Sequence, residues 1–271
     1  MRLAWATDIH LNVSWGNFVA QILSEGPDAL VITGDITEAP SLEGTLKQLD
    51  KDIGIPIFFI LGNHDYYGSS IREVRRRIAR FSRRNPQLIW LDRHGIVPLT
   101  KQSCLLGGEA WYDAAHGDFE GSKIWLSDFN NIKELTPNTP ATASDKDFLR
   151  RKLNLLGKRD ADRLKRLLPA ALAEFKHIYV ATHVPPFVET ANHQGKTCNP
   201  DYLPFFSCRA VGELLQETMS QHPDRIMTVL CGHTHDHSLD GKEVEILPNL
   251  KAMVHGADYG RPEIAEVLEV A

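Results

Sequence analysis

The sequence predicts an α/β fold built on largely parallel β-sheet, and three observations carry that prediction. Five short, apolar, β-branched runs read as buried strands, at residues 3–7, 29–33, 55–60, 177–182 and 226–231. Helical patterns at residues 15–23 and 42–49 separate the first three, which is the alternation of βαβ units. The polar residues that follow those three runs are also evenly spaced. Asp8 to Asp35 is 27 residues and Asp35 to Asn63 is 28, close to one βαβ repeat.

The remaining elements follow in order. Residues 71–84 place Ile71, Val74, Ile78 and Phe81 at helical spacing, with seven arginines on the other positions. Strand-like pieces lie at 88–91, 96–99 and 104–107, and again near 244–247, 252–254 and 264–270, enough for a second sheet. A helix is expected over 144–168, ending there because the residue before Pro169 is biased away from helical geometry. Two irregular stretches, 107–140 and 185–204, read as excursions over the surface. No repeat, low-complexity tract or linker interrupts the chain, so residues 1–271 are expected to form a single domain.

Composition narrows the function classes. At 271 residues with 42% hydrophobic and 24% charged side chains, the chain can bury a sizeable core. A formal net charge of -5 argues against general affinity for nucleic acid or anionic membrane. No apolar run approaches the roughly 20 residues that span a bilayer. The N-terminus, MRLAWATDIH, lacks a secretory pattern, and a functional Asp8 leaves no room for a removable leader, so a cytoplasmic location is expected. Cys104, Cys198, Cys208 and Cys231 form no CxxC pair, and we assign them no role.

Five polar motifs stand at the carboxyl ends of the five best strands: Asp8-Ile9-His10, Gly34-Asp35, Gly62-Asn63-His64-Asp65, Thr182-His183 and Gly232-His233-Thr234-His235. The crevice beyond the strand ends is where open α/β sheets bind ligands. Imidazoles, carboxylates and an Asn carbonyl suit hard or borderline divalent metals. In Asp8-x-His10 and His233-x-His235, alternate residues of an extended segment point the same way. Glycines before Asp35, Asn63 and His233 let the backbone turn sharply out of each strand. Each motif alone is weak, because a lone buried histidine is more often a core residue than a ligand. Five at five strand ends are not an accident.

The order DxH, GD, GNHD, H, GHTH, spanning residues 8–235, resembles the calcineurin-like metallophosphoesterase family. The resemblance implies a four-layer α-β-β-α sandwich with two central mixed sheets and a site for two divalent metal ions. Asp8, His10 and His235 would hold one ion, Asn63, His183 and His233 the other, and Asp35 would bridge them. His64 would sit beside the scissile phosphate, oriented by its hydrogen bond to Asp65. The implied activity is hydrolysis of a phosphate mono- or diester by a metal-bridging hydroxide, with Mn or Fe as the metals and Zn, Co or Ni as alternatives. The implied partner is a small phosphate-ester substrate rather than nucleic acid or a membrane. A nuclease acting on nucleic-acid ends and a non-catalytic metal-binding scaffold are the competing functions.

Other residues carry bland readings beside sharper ones. The arginine-rich helix reads as an amphipathic surface helix, with a basic wall for a polyphosphate or nucleic acid as its alternative. Glu38 is a hydrogen-bond partner for a metal ligand or a solvated carboxylate. Asn12 and Tyr66 line the cleft mouth or serve turn and packing roles. Trp111, Tyr112 and Asp113 anchor the first excursion or meet substrate. His193 lies in the loop that follows His183, our candidate lid, and is read as solvent-exposed. His237 extends the run of alternate histidines and reads as a surface or supporting residue.

Overall fold

A computed structural model describes residues 1–11, 16–137, 143–193, 195–236 and 243–271. Asn12 and His237 lie outside the described residues. The chain begins β1 (Arg2–Ala6), α1 (Gly16–Glu25), β2 (Ala29–Thr33), α2 (Leu42–Ile53), β3 (Ile57–Ile60), α3 (Ile71–Arg84), β4 (Leu88–Trp90) and α4 (Leu91–His94). It continues β5 (Val97–Pro98), β6 (Ser103–Gly107), α5 (Asp128–Asn131), α6 (Ala143–Glu174), β7 (His177–Ala181) and the short pair β8 (Asn192–His193) and β9 (Lys196–Thr197). It closes α7 (Leu203–Phe206), α8 (Arg209–Ser220), β10 (Ile226–Cys231), β11 (Val244–Leu247), β12 (Leu250–Val254) and β13 (Glu266–Glu269).

Two mixed sheets form the centre, as the resemblance implies. One has the order β13-β1-β2-β3-β4, parallel except for β13. The other has the order β11-β12-β10-β7-β6-β5, with antiparallel strands at both edges. The two-residue period of a strand explains the layering. Leu3, Trp5, Val31, Phe58 and Ile60 of the first sheet face Leu105, Tyr179, Ala181 and Leu230 of the second across a shared core. Their alternates in the first sheet, among them Ala4, Leu30, Ile32 and Phe59, pack under α1, α2 and α3 through Phe18, Ile22, Leu46 and Val74. In the second sheet Leu106, Ile178, Val180 and Val229 pack against Leu164, Leu168, Val211 and Leu215 of α6 and α8. Each such side chain contributes roughly 1.5–3 kcal/mol when fully buried.

The structure corrects one helix end. α6 does not stop before Pro169 but runs through it to Glu174. Pro169 is exposed, whereas Leu168, Ala171, Leu172 and Phe175 stay buried against the second sheet. The ring interrupts hydrogen bonding on the solvent side, and the apolar contacts beyond it outweigh that loss. Smaller shifts have local causes. β3 starts at Ile57 rather than residue 55, because Pro56 has no N–H to give a ladder. Leu91 opens the turn α4 instead of prolonging β4. The four cysteines are buried and free.

Candidate metal centre

All five motifs meet at the carboxyl ends of β1, β2, β3, β7 and β10, and the backbone there is unusual. Among the described residues seven non-glycine positions have positive φ, and five of them are Asp8, His10, Asp35, His233 and His235. Left-handed backbone costs an ordinary L-residue roughly 1–2 kcal/mol and concentrates where function requires it. The alternate-residue reading of DxH and HxH therefore needs amending. These segments leave the strand in left-handed turns that aim both side chains inward.

The glycines act mainly by making room. Gly34 has φ +96, so there the conformational argument holds. Gly62 and Gly232 do not have positive φ. A Cβ on Gly62 would fall on the Asp35 carboxylate and backbone N, and one on Gly232 on the Asp8 carboxylate and Thr7 hydroxyl.

The donor atoms form two groups that share Asp35. Ligand atoms of Asp8, His10, Asp35 and His235 lie within 4.8 Å of one another. His10 Nε2 is 3.2 Å from His235 Nε2 and 3.8 Å from Asp35 Oδ2, and His235 Nε2 is 3.5 Å from Asp8 Oδ1. On the other side Asn63 Oδ1 is 2.9 Å from His183 Nε2 and 3.0 Å from His233 Nδ1. His183 Nε2 is also 3.3 Å from Asp35 Oδ1. The two oxygens of Asp35 thus face different sets of donors.

Hydrogen bonds to the outer ring nitrogens fix which nitrogen is offered inward. Thr33 O lies 2.9 Å from His183 Nδ1, so that nitrogen donates and Nε2 points at the centre. Phe205 O lies 2.9 Å from His233 Nε2, so this ring presents Nδ1 instead. The Asn63 amide is oriented by Asp128 Oδ1, which accepts from Nδ2 at 2.9 Å and leaves Oδ1 facing the two imidazoles. Asp128 also accepts from the hydroxyls of Tyr67 and Tyr112. Lone pairs of Asn63, His233 and Asp35 consequently converge with no proton to share among them.

That convergence fits divalent cations. Asp8 and Asp35 are 2% and 1% exposed, and among the described residues no lysine or arginine pairs with either. Buried carboxylates without a counter-charge are strongly disfavoured. The histidines answer this need within the protein. Burial pulls His183 down, but the Asp35 charge outweighs it and pushes the ring up to about 10. Burial also opposes ionisation of Asp35, yet His183, His64 and His10 hold its carboxyl well below the usual range. Burial holds His10 and His233 down at about 4, as neutral donors.

The calcineurin-like phosphoesterase family model matches residues 1–237. The chain belongs to that family. A calcineurin-like phosphoesterase is a metal-dependent phosphoric ester hydrolase, and the donor set suits that chemistry. Solved structures show the same fold at low sequence identity. Phosphopantetheinyl hydrolase from Mycobacterium tuberculosis matches with a TM-score of 0.61 and 13% identity, covering 94% of this chain and 89% of that one. A dimetal phosphatase from Danio rerio gives 0.55 and 12% over 94% and 87%. TT1561 of Thermus thermophilus gives 0.52 and 16% over 94% and 88%. No curated protein matches the chain in sequence.

At this candidate metal centre His64 stands at the mouth, its side chain 21% exposed and Nε2 3.9 Å from Asp35 Oδ2. The expected bond between its ring and Asp65 is replaced by another arrangement. Asp65 Oδ1 accepts from the N–H of Ile36 and Thr37 at 3.0 Å each, and Oδ2 from Gly62 N at 2.8 Å. Consecutive residues of a helical turn do not face each other, so Asp65 ties the Asp35 loop to the Asn63 loop. The His64 ring instead stacks on Tyr67, centroids 4.2 Å apart, and meets His10 edge-on.

Several other residues differ from their sequence reading or were not foreseen. Tyr66 is fully buried and donates to Glu109, so it packs rather than lines the mouth. Glu38 is exposed. Trp111 and Tyr112 are buried anchors, and the Tyr112 ring stacks on His233. His193 packs against Tyr202 and Phe206, and Phe206 in turn against His233. Tyr259, unforeseen, is 65% exposed yet lies 4.5 Å from the His10 ring and 4.7 Å from His235. Asp128 was legible only as one acid in an irregular stretch.

Proposed function

We propose that the chain hydrolyses a small phosphate monoester or diester at a two-metal centre. The observation that supports this most directly is the Asp35 carboxylate, whose two oxygens face two separate donor sets with no lysine or arginine beside them among the described residues. Asp8, His10, His235 and Asp35 Oδ2 would hold one ion, and Asn63, His183, His233 and Asp35 Oδ1 the other. The mixed N/O donors accept Mn, Fe, Zn, Co or Ni, and membership of the family favours Mn or Fe among them. Ions held there would lower the pKa of bound water and offset charge on phosphate oxygens.

The chain's own groups do the rest. His64 at the mouth holds the phosphate and, when protonated, gives a proton to the departing oxygen. Tyr67 keeps the His64 ring in place, and Asp65 holds the two loops at a fixed separation. Asp35, serving both ions, is the ligand whose loss costs most metal, so Asp35→Asn lowers occupancy more than any single histidine change. The net charge of -5 favours a small substrate over nucleic acid. Four unbridged cysteines suit a reducing compartment such as the cytoplasm. No described helix is long and apolar enough to cross a membrane.

The test is a turnover panel on protein loaded with each of the five metals, comparing an aryl phosphate with a bis-aryl phosphate. Turnover of either supports the reading and separates monoesterase from diesterase. Absence of turnover with all five metals overturns it.

A further inference from the structure

The arginines of α3 are not simply a solvated face. They form one wall of a cleft of about 560 Å³ whose other walls are α4 and α6. Seven arginines line it: four from α3, Arg93 from α4, and Arg159 and Arg163 from α6. Their carboxylate partners are few. Arg159 and Arg163 share Asp92, at 3.0 and 3.1 Å, and Arg75 is bound to buried Glu109. Arg76, Arg80, Arg83 and Arg93 have no carboxylate partner among the described residues, while Arg77 of the same helix, outside the cleft, is paired with Glu43. Two donors of the lining, Trp90 Nε1 and Arg159 Nη1, are buried without a hydrogen-bond partner among the described residues, Arg159 Nη1 having only the Asp160 carboxylate at 3.8 Å. Unmet buried donors are rare and costly.

We infer that this cleft binds a small organic molecule bearing two or more phosphate groups, at a site separate from the metal centre. Guanidinium groups present planar forks that match phosphate oxygens, and a concave wall of one charge sign focuses the potential on its occupant. Convergence of arginines from three elements distinguishes a site from a helix face, since a solvated face needs no second or third wall. The ligand is compact because the cleft is bounded by α6 and the protein as a whole carries a net charge of -5. A long nucleic acid would meet that negative surface on either side.

The test uses metal-loaded protein and pyrene-1,3,6,8-tetrasulfonate, a polyanion that no phosphoesterase cleaves, followed by fluorescence anisotropy. Saturable one-to-one binding is expected, weakening as salt rises from about 50 to about 200 mM. Methylenebisphosphonate should displace the dye at concentrations at least about tenfold lower than methylphosphonate, because two anionic groups engage the cleft. Arg80→Ala and Arg93→Ala, singly or together, should weaken dye binding about tenfold or more and leave aryl phosphate turnover unchanged. Arg84→Ala, on the same helix but outside the cleft, should leave both unchanged. No saturable binding, equal displacement by the two phosphonates, equal loss in Arg84→Ala, or binding of an RNA oligomer in place of the small anions each overturns the inference.

Discussion

Asp128 binds the amide nitrogen of Asn63 and so decides which atom of that side chain faces His183 and His233. Asp128→Ala frees the amide to flip and leaves Tyr67 and Tyr112 without their acceptor, so metal affinity should drop about 10–100-fold, read as metal content after dialysis. Gly232→Ala should do at least as much by a steric route, because the new Cβ displaces the Asp8 carboxylate. His64→Ala should behave differently, since the role proposed for His64 is on the phosphate and not on a metal. Turnover should fall by about 10²–10⁴ while bound metal stays near the wild-type level. Equal metal loss in His64→Ala and Asp128→Ala would show that these two residues do not divide labour in this way.

At the scale of elements, α6 carries two features that stability measurements can weigh. Pro169 stands exposed in the helix interior, where proline costs ~3 kcal/mol relative to alanine, part of it regained through a stiffer unfolded chain. Pro169→Ala should therefore stabilise the metal-free protein by about 1–2 kcal/mol, seen as a raised urea midpoint with unchanged m-value. Earlier in the same helix, Asp160 is fully buried, and burial together with the Glu109 charge pushes it up to about 8. A carboxyl raised above its unfolded value near 3.8 keeps its proton when the unfolded chain has released it. Its contribution is thus greatest at low pH and is lost as pH rises from about 4 to about 8. Asp160→Asn keeps the neutral form throughout, so its stabilising effect should be larger at pH 8 than at pH 5 by roughly 1–3 kcal/mol. An equal effect at both pH values would contradict the buried neutral carboxyl.

For the molecule as a whole, what the sequence made legible follows from the range of the interactions involved. The strands were readable because the β-branched runs of β2 and β10 are buried on both faces, and that demand is written locally. The candidate ligands could be picked out because each of their motifs directly follows such a strand. The end of α6 was not, because tertiary packing of Ala171 and Leu172 overrode the local preference of Pro169. Nor were Asp128, Tyr67 and Tyr259, which act across more than 60 residues of chain or from irregular segments with no periodic signal. The partner of Asp65 was misjudged for the same reason. Two of its bonds run to loop N–H groups 28 and 29 residues away and the third to Gly62, rather than to its neighbour His64.

If seven side chains from five strand ends build one centre for two ions, and this centre does the hydrolysis, turnover must track the filling of both ion positions. The most direct measurement is aryl phosphate turnover as metal-free protein is titrated with Mn²⁺, with bound metal counted at each step. Turnover should rise to a plateau at two equivalents per chain, and Asp35→Asn should abolish the plateau. Turnover that needs no metal, or that saturates at one equivalent and survives Asp35→Asn, would contradict the account.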